Sequence, residues 1–403
     1  MITTNIVLFI GLALAIGLIL GKATEWLKIT AIVGYIVAGI ILGYITHLYV
    51  GDILSNNAIN YVVEITLGFV GFIVGVGFTK NFIKKFGKIS IIIAVIESVV
   101  TLIIITLGCY ILTSDINLSL ILGVIGLATA PAGTVAAIQM SKGRGKLSRI
   151  TLAIVGIDDA IAIILFVIIL AVVKINLGAD LQLMEVVSIP LIEIGGAIVI
   201  GGFFGFSITY LIKFFNSRED IFIIALSLIL VCIGLCNLIS ASSILACMVL
   251  GAVFINIDPK IGKVVHRDTE NLLPPIFVLF FGIAGIELAM KFDDIIAYGV
   301  ISIFGLIMVY TVYRILGKLY GATLAGNLLD LPQKVRKYLG FALLSQAGVN
   351  IGLAILASNE LGGSAVEIGM LVIIIMTITT IFFEILGPIG VRFALSKSGE
   401  LYS

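Results

Sequence analysis

The feature that most constrains this chain is a series of apolar stretches, each about twenty residues long, that recurs along the whole sequence. A helix of that length spans the hydrocarbon core of a bilayer, where only helices and closed barrels satisfy every backbone hydrogen bond. Charged residues make up only 12 % of the chain, against about a quarter in soluble domains. We therefore predict an all-α polytopic membrane protein, whose first apolar run is a span rather than a signal peptide.

Interruptions of the apolar pattern predict thirteen transmembrane helices in a single domain over residues 1–403, with no soluble regulatory domain. The expected spans are 5–21, 29–48, 60–79, 89–112, 117–140, 147–173, 186–212, 221–238, 242–256, 272–290, 294–320, 336–357 and 366–396.

The distribution of basic residues predicts the orientation. Of the 24 lysines and arginines, 21 fall in loops on one side, Lys318 included, and only Lys174 and Lys291 on the other. The positive-inside rule places the first side in the cytoplasm, so the N-terminus is expected outside the cell membrane and the C-terminus inside. In this count Arg314 is the one base within a span. The net charge of +1 gives no information about an acidic partner, and no nucleic-acid partner is expected. The four cysteines, all in apolar runs, suggest packing rather than a cofactor.

Two adjacent acids lie near the middle of the sixth span, in the stretch GIDDAIAIILF that contains Asp158 and Asp159. Each aspartate at the bilayer centre costs roughly 2.5–3.5 kcal/mol on insertion scales, so the pair needs neutralisation or access to water. Neighbours on a helix point about 100° apart, so one is expected to face a cavity and the other a neighbouring helix. The other charges well inside spans are Glu97, Arg314 and Glu384, whereas Glu64, Glu193 and Glu287 lie nearer to span ends and stay ambiguous.

Two spans are interrupted by proline, glycine and small polar residues. The fifth contains ATAPAGTVAAI and the twelfth contains LLSQAGVNIG. The candidate site residues in these stretches are Thr129, Ala130, Pro131, Ser345, Gln346 and Gly348. A proline within a helix removes one backbone hydrogen bond. Paired interruptions predict two discontinuous helices whose half-helix ends hold ions at the membrane midplane.

The unusual residues occupy matching places in two sets of six spans. The fourth span of each set carries Glu97 or Arg314, the fifth is interrupted, and the sixth carries Asp158 and Asp159 or Glu384. The connecting seventh span inverts the second set relative to the first. This pattern predicts an inverted repeat, which is typical of alternating-access secondary transporters.

The stretches ATAPAGTVAAI, GKLSRITLAIVGIDDAIAIILF, YRILGK and LLSQAGVNIGLAIL together resemble the monovalent cation/proton antiporter superfamily over essentially the whole chain. They are most similar to its paired-aspartate sodium/proton branch, with Kef-type potassium transporters as near relatives. The resemblance implies a homodimer in membrane lipid. It also implies a scaffold subdomain at about 1–80 and 221–290, a core subdomain at about 89–173 and 294–396, and a linker helix at 186–212.

The resemblance further implies that Asp159 carries the ion and the proton, and that Asp158 pairs with a base on the helix before the second interrupted one. Arg314 is the base available for that pairing, although a lysine is usual in electrogenic members; Glu97 and Glu384 are alternative partners for Arg314, and snorkelling to the cytoplasmic surface is another option. Because arginine does not release its proton, an Arg314–Asp158 pair predicts electroneutral exchange.

These residues predict antiport of Na⁺ or Li⁺ against H⁺. A desolvated carboxylate is relieved by a proton or a bare cation but not by both, and Asp159 with oxygens at Thr129 would bind a hard monovalent cation. The alternative is a Kef-type potassium/proton antiporter, or a potassium efflux protein without its regulatory domain.

Other functions fit less well. A channel needs a polar pore stripe, and an intramembrane protease needs two acids converging from different helices; neither pattern is present in the sequence. A purely structural role, with the aspartates joining helices, stays open. No enzymatic activity is expected.

Overall fold

The computed structural model describes residues 6–26, 31–49, 56–80, 84, 88–130, 134–135, 137–138, 141, 143, 145–178, 183–215, 217–290, 300–346, 348–361 and 365–400. These residues form fourteen α-helices, two short 3₁₀ helices and no strand. The α-helices are α1 Ile6–Trp26, α2 Ala31–Tyr49, α3 Asn56–Gly77, α4 Lys88–Thr113, α5 Ile116–Ile125, α6 Lys146–Asn176, α7 Leu183–Leu211, α8 Arg218–Leu238, α9 Ser243–Ile257, α10 Pro259–Met290, α11 Val300–Leu328, α12 Gln333–Tyr338, α13 Gly348–Glu360 and α14 Val366–Ser398.

The thirteen predicted spans are confirmed: eleven correspond to single helices and two to interrupted ones. Within the described part of the chain, seven helices are each long and apolar enough to cross a bilayer, and four apolar segments are shorter. Two helix bounds differ from the prediction. α10 begins at Pro259 because the polar stretch before the apolar run is also helical, and α11 continues past residue 320 to Leu328.

The fifth and twelfth spans are interrupted as predicted. α5 ends at Ile125, the chain is non-helical over residues 128–130, and residues 134, 135, 137 and 138 are helical again. The twelfth span consists of α12, the 3₁₀ helix Leu339–Leu343, a non-helical stretch at 344–346, and α13. Pro131 lies outside the described residues, so its contribution to the first interruption stays a prediction.

The helix packing has the internal symmetry that the inverted repeat predicts. If α2, α3 and α4 correspond to α9, α10 and α11, the packing of α2 on α10 should be mirrored by that of α9 on α3, and both contacts are extensive. α4 packs along its own counterpart α11. The two halves are therefore joined through equivalent faces.

Glycine allows the closest of these approaches. At Gly75 on α3, an added Cβ would overlap the backbone carbonyl of Met248 on α9. The same Cβ at Gly77, one half-turn later, would meet no atom. In lipid, where burial gives little drive to helix association, such backbone contact is a main source of packing energy.

We expect Gly75→Ala to destabilise the protein by about 1–3 kcal/mol relative to Gly77→Ala, because only the first substitution forces α3 and α9 apart. Both glycines lie in the last turn of α3, so each alanine variant gains helix propensity, and the loss specific to Gly75→Ala reports the contact. Thermal unfolding in detergent measures it. Equal midpoints for the two variants would show that the helices do not touch at Gly75.

Candidate functional site

The charges predicted to lie within the membrane are all buried. Asp158 and Asp159 lie near the middle of α6, Glu97 lies on α4, and Arg314 lies on α11, each at most 1 % exposed. Glu384 on α14 is 3 % exposed. A charge removed from water is costly unless it is paired and hydrogen-bonded, so the partners of these groups determine what the site can do.

Lys318 is the base that pairs with Asp158, which the sequence did not reveal. Its ammonium nitrogen lies 3.3 Å from Asp158 Oδ2 and 3.1 Å from Glu97 Oε1. It also lies 3.0 Å from the hydroxyl oxygen of Thr129 and donates to the carbonyl of Leu127 at 2.6 Å. We refer to Lys318, Glu97, Asp158 and Thr129 as the lysine cluster.

The assignment of Lys318 to a cytoplasmic loop is therefore wrong, since its side chain is fully buried. A lysine near the predicted end of a span has the same local composition whether it faces water or the interior. The usable signal was its spacing of four residues from Arg314 in YRILGK, which places both bases on one helix face. α11 also approaches α4 closely there, because Gly317 and Gly321 lie against the backbone of Thr101 and Glu97.

Arg314 contacts backbone carbonyls, so the predicted Arg314–Asp158 pair is wrong. Its guanidinium donates to the carbonyls of Gly126, Ala128, Leu344 and Ser345 at 2.8–3.2 Å, and it lies over the ring of Phe383 at 4.3 Å. Snorkelling does not occur either, because the side chain is 0 % exposed.

The two interruptions meet at one point, which we call the crossing and define as residues 126–130 and 343–346. The backbone N–H of Ala130 donates to the carbonyl of Ser345 at 3.2 Å. Asn350 on α13 donates to the carbonyl of Ile125 at 2.6 Å, at the end of α5. Together with Arg314 and Lys318, these groups provide partners for the carbonyls that the interrupted helices leave without intrahelical donors.

Gln346 anchors the second interruption to its neighbours. Its amide oxygen accepts from the hydroxyl of Tyr310 at 3.3 Å, and its amide nitrogen lies 3.4 Å from the hydroxyl of Thr380 on α14. Gly348 begins α13 immediately afterwards. Of the predicted residues of this interruption, Ser345 and Gln346 therefore lie at the crossing and Gly348 follows it.

The two aspartates face different surroundings. Asp158 Oδ2 accepts from the hydroxyl of Thr129 at 2.7 Å and lies beside Lys318. Neither oxygen of Asp159 accepts a hydrogen bond from any residue that the structure describes. Thr129, which was expected to serve Asp159, thus contacts the first aspartate.

Asp159 is consequently a fully buried carboxyl group whose polar atoms have no hydrogen-bond partner in the part of the chain that the structure describes. Such groups are rare in native structures and usually have a functional explanation. A proton on the carboxyl group would remove its charge, and a bare cation would neutralise it, so the arrangement is suited to binding either one.

We expect Lys318→Met to lower the free energy of unfolding by about 3–5 kcal/mol, because it leaves Glu97 and Asp158 buried without their cation. Glu97→Gln in the same background should recover part of the loss. Lys174→Met is the control, since the Lys174–Glu360 pair is partly exposed and should contribute under about 1 kcal/mol. Thermal unfolding in detergent gives the comparison, and equal losses for the two lysine variants would contradict the buried pairing.

Comparison with known proteins supports the features described above. The family model described as "Sodium/hydrogen exchanger, transmembrane" matches residues 10–395. Two structures of the sodium proton antiporter MjNhaP1 from Methanocaldococcus jannaschii are similar in fold. One, at pH 8, has a TM-score of 0.75 and 18 % sequence identity, and the other, from electron microscopy, has a TM-score of 0.70 and 20 % identity. Each alignment covers 98 % of both chains. No curated protein matches the sequence.

Proposed function

This chain belongs to the sodium/hydrogen exchanger family, and we propose that it exchanges Na⁺ or Li⁺ for H⁺ by alternating access, with Asp159 as the group for which both ions compete. The observation that carries the proposal is the burial of Asp159 with neither oxygen hydrogen-bonded to the described residues. Every other part of the mechanism follows from how the neighbouring charges are arranged.

Competition at one carboxylate produces exchange. Removal from water penalises the charged form of Asp159, and either a proton or a monovalent cation relieves that penalty. The empty, charged form is the least stable within the membrane, so the site crosses with one ion or the other. Hard cations bind oxygen ligands, and we expect Asp158 Oδ1 on the neighbouring residue to contribute, since this buried oxygen also lacks a partner in the described structure.

The alternating movement would follow the division that the family resemblance implies. We propose a scaffold of about 1–80 and 221–290, a core of about 89–173 and 294–396, and a linker at 186–212. The packing supports this, because α2 with α10 and α3 with α9 join segments of the scaffold, whereas α4 with α11 joins segments of the core. The protein would function as a homodimer in the cell membrane, with its basic loops in the cytoplasm.

The ion site can be tested in everted membrane vesicles that carry a proton gradient. We expect Na⁺ or Li⁺ to collapse the gradient, and Asp159→Asn to abolish that response because an amide neither titrates nor provides a negative charge. Asp330→Asn is the matched control, since Asp330 lies in an exposed turn with φ 48°, a conformation that asparagine also adopts. Retained exchange in Asp159→Asn would refute the site.

The same vesicles test the alternative cation. If K⁺ collapses the gradient and Na⁺ and Li⁺ do not, the protein performs the potassium/proton exchange of Kef-type transporters.

The lysine cluster bears on the stoichiometry. The electroneutral exchange expected from Arg314 now depends on Lys318. A buried lysine with a single carboxylate partner can lose its proton when that carboxylate is protonated. Glu97 gives Lys318 a second carboxylate at 3.1 Å, and Thr101 donates to that carboxylate at 2.9 Å. We propose that the two carboxylates hold Lys318 in its ion pair throughout the cycle, so that only Asp159 exchanges and one proton moves for one cation.

We expect the Na⁺-driven rate of the intact protein in proteoliposomes to be unaffected by an imposed membrane potential. In Glu97→Gln the rate should become potential-dependent, because Lys318 retains one carboxylate only and can join the proton transfer. Fluorescence of an enclosed pH dye measures both rates. A potential-dependent rate in the intact protein would overturn the electroneutral stoichiometry.

A further inference from the structure

α6, the helix that carries both aspartates, has no cap from its own sequence at its N-terminus. The capping position is Gly145, which has no side chain to accept a hydrogen bond. The next residues, Leu147 and Ser148, are 0 % and 1 % exposed, so water does not reach their backbone N–H groups. Unpaired, these donors would destabilise the first turn.

A residue more than 250 positions away provides the cap. Glu400 Oε1 accepts from the backbone N–H of Leu147 at 2.7 Å, and Oε2 accepts from the backbone N–H and the hydroxyl of Ser148 at 2.9 and 2.8 Å. Its carboxylate also lies at the positive end of the helix dipole. Glu400 is itself buried, so this contact is part of the packed interior.

The end of α14 directs Glu400 to this place. Gly399 has a left-handed φ of 82°, and the backbone N–H of Glu400 returns to the carbonyl of Leu395 at 2.9 Å. Leu395 belongs to the same apolar cluster as Leu147 and Ile150 of α6. Hydrogen bonds and apolar contacts thus join the last turn of α14 to the first turn of α6.

Gly145 shows that the surrounding structure is built around the distant cap. Its φ of −83° is open to any residue, so the backbone does not require glycine. A Cβ at this position would instead collide with the carboxyl group of Glu400. The local capping position has been left empty to admit the side chain from α14.

We infer that Glu400 is a positioning residue for ion exchange. Its contact with Leu147 and Ser148, which we call the latch, joins α14 to α6 and fixes the position of Asp158 and Asp159 relative to the crossing. The inference rests on the proposed function. α6 is continuous from Leu147 to Asp158, a rise of roughly 16 Å, so a displacement at its first turn moves the Asp158–Thr129 contact. α14 is also held at mid-membrane, where Phe383 lies against Arg314, so the latch gives α6 a fixed reference.

The inference is tested with Glu400→Ala, measuring Na⁺ dependence of exchange in everted vesicles. We expect the half-saturating Na⁺ concentration to rise roughly fivefold, the equivalent of one lost cap, with a much smaller change in maximal rate. Glu367→Ala, at the exposed first turn of the same helix α14, is the control and should leave both unchanged. An unaltered half-saturating concentration in Glu400→Ala would overturn the inference.

A double variant separates the latch from simple capping. Gly145→Asp combined with Glu400→Ala gives α6 a local cap, in the space that Glu400 vacates, without a link to α14. We expect the thermal midpoint to recover while the half-saturating Na⁺ concentration stays raised. If both recover, Glu400 only caps the helix and the positioning role is refuted.

Hydrogen exchange provides a readout that does not depend on the transported ion. In Glu400→Ala we expect faster amide exchange both in the first turn of α6 and at residues 127–130 of the crossing. Faster exchange confined to the first turn would overturn the inference. Failure of the proposed function would instead appear as an intact protein that exchanges neither Na⁺, Li⁺ nor K⁺, whatever the state of the latch.

Discussion

The structure depends on how it satisfies backbone carbonyls where two helices are interrupted inside a bilayer. Lipid offers no hydrogen bonds, so each exposed carbonyl there costs several kcal/mol. Arg314 and Lys318, one turn apart on α11, supply cationic donors to the carbonyls of Gly126, Leu127, Ala128, Leu344 and Ser345. The interruptions can therefore exist only where α11 lies across them, which makes the packing of α11 on α4 a condition for the site.

The two bases perform different tasks. Arg314 donates to neutral carbonyls and lies over an aromatic ring, so it stabilises the interrupted backbone. Lys318 lies within 3.3 Å of two carboxylates and holds them together. Asp159 belongs to neither set of contacts, and its oxygens have no hydrogen-bond partner among the described residues. Buried polar groups are normally paired, and exceptions to that rule are expected at functional sites.

Much of this architecture could be predicted from the sequence. Charges in apolar runs identified Asp158, Asp159, Glu97 and Arg314, because insertion costs make such residues exceptional. Pairing could not be predicted, since a hydrogen bond depends on distances between helices rather than on spacing within one. Arg314 was therefore given the partner that belongs to Lys318. The cap from Glu400 could not be predicted either, because local sequence patterns at a helix N-terminus do not indicate a capping residue from a distant part of the chain.

The packing of α2 on α10 and of α3 on α9, in which each half of the chain contacts the other half, has an evolutionary consequence. Glycines on α2, α3, α9 and α10 lie against the backbone of the other half, which runs in the opposite direction through the membrane. An ancestor of half this length would have needed copies inserted in both orientations within one bilayer to cover those faces. Dual topology at the origin of the fold, followed by gene duplication and fusion, is thus the simplest history consistent with the way its halves interlock.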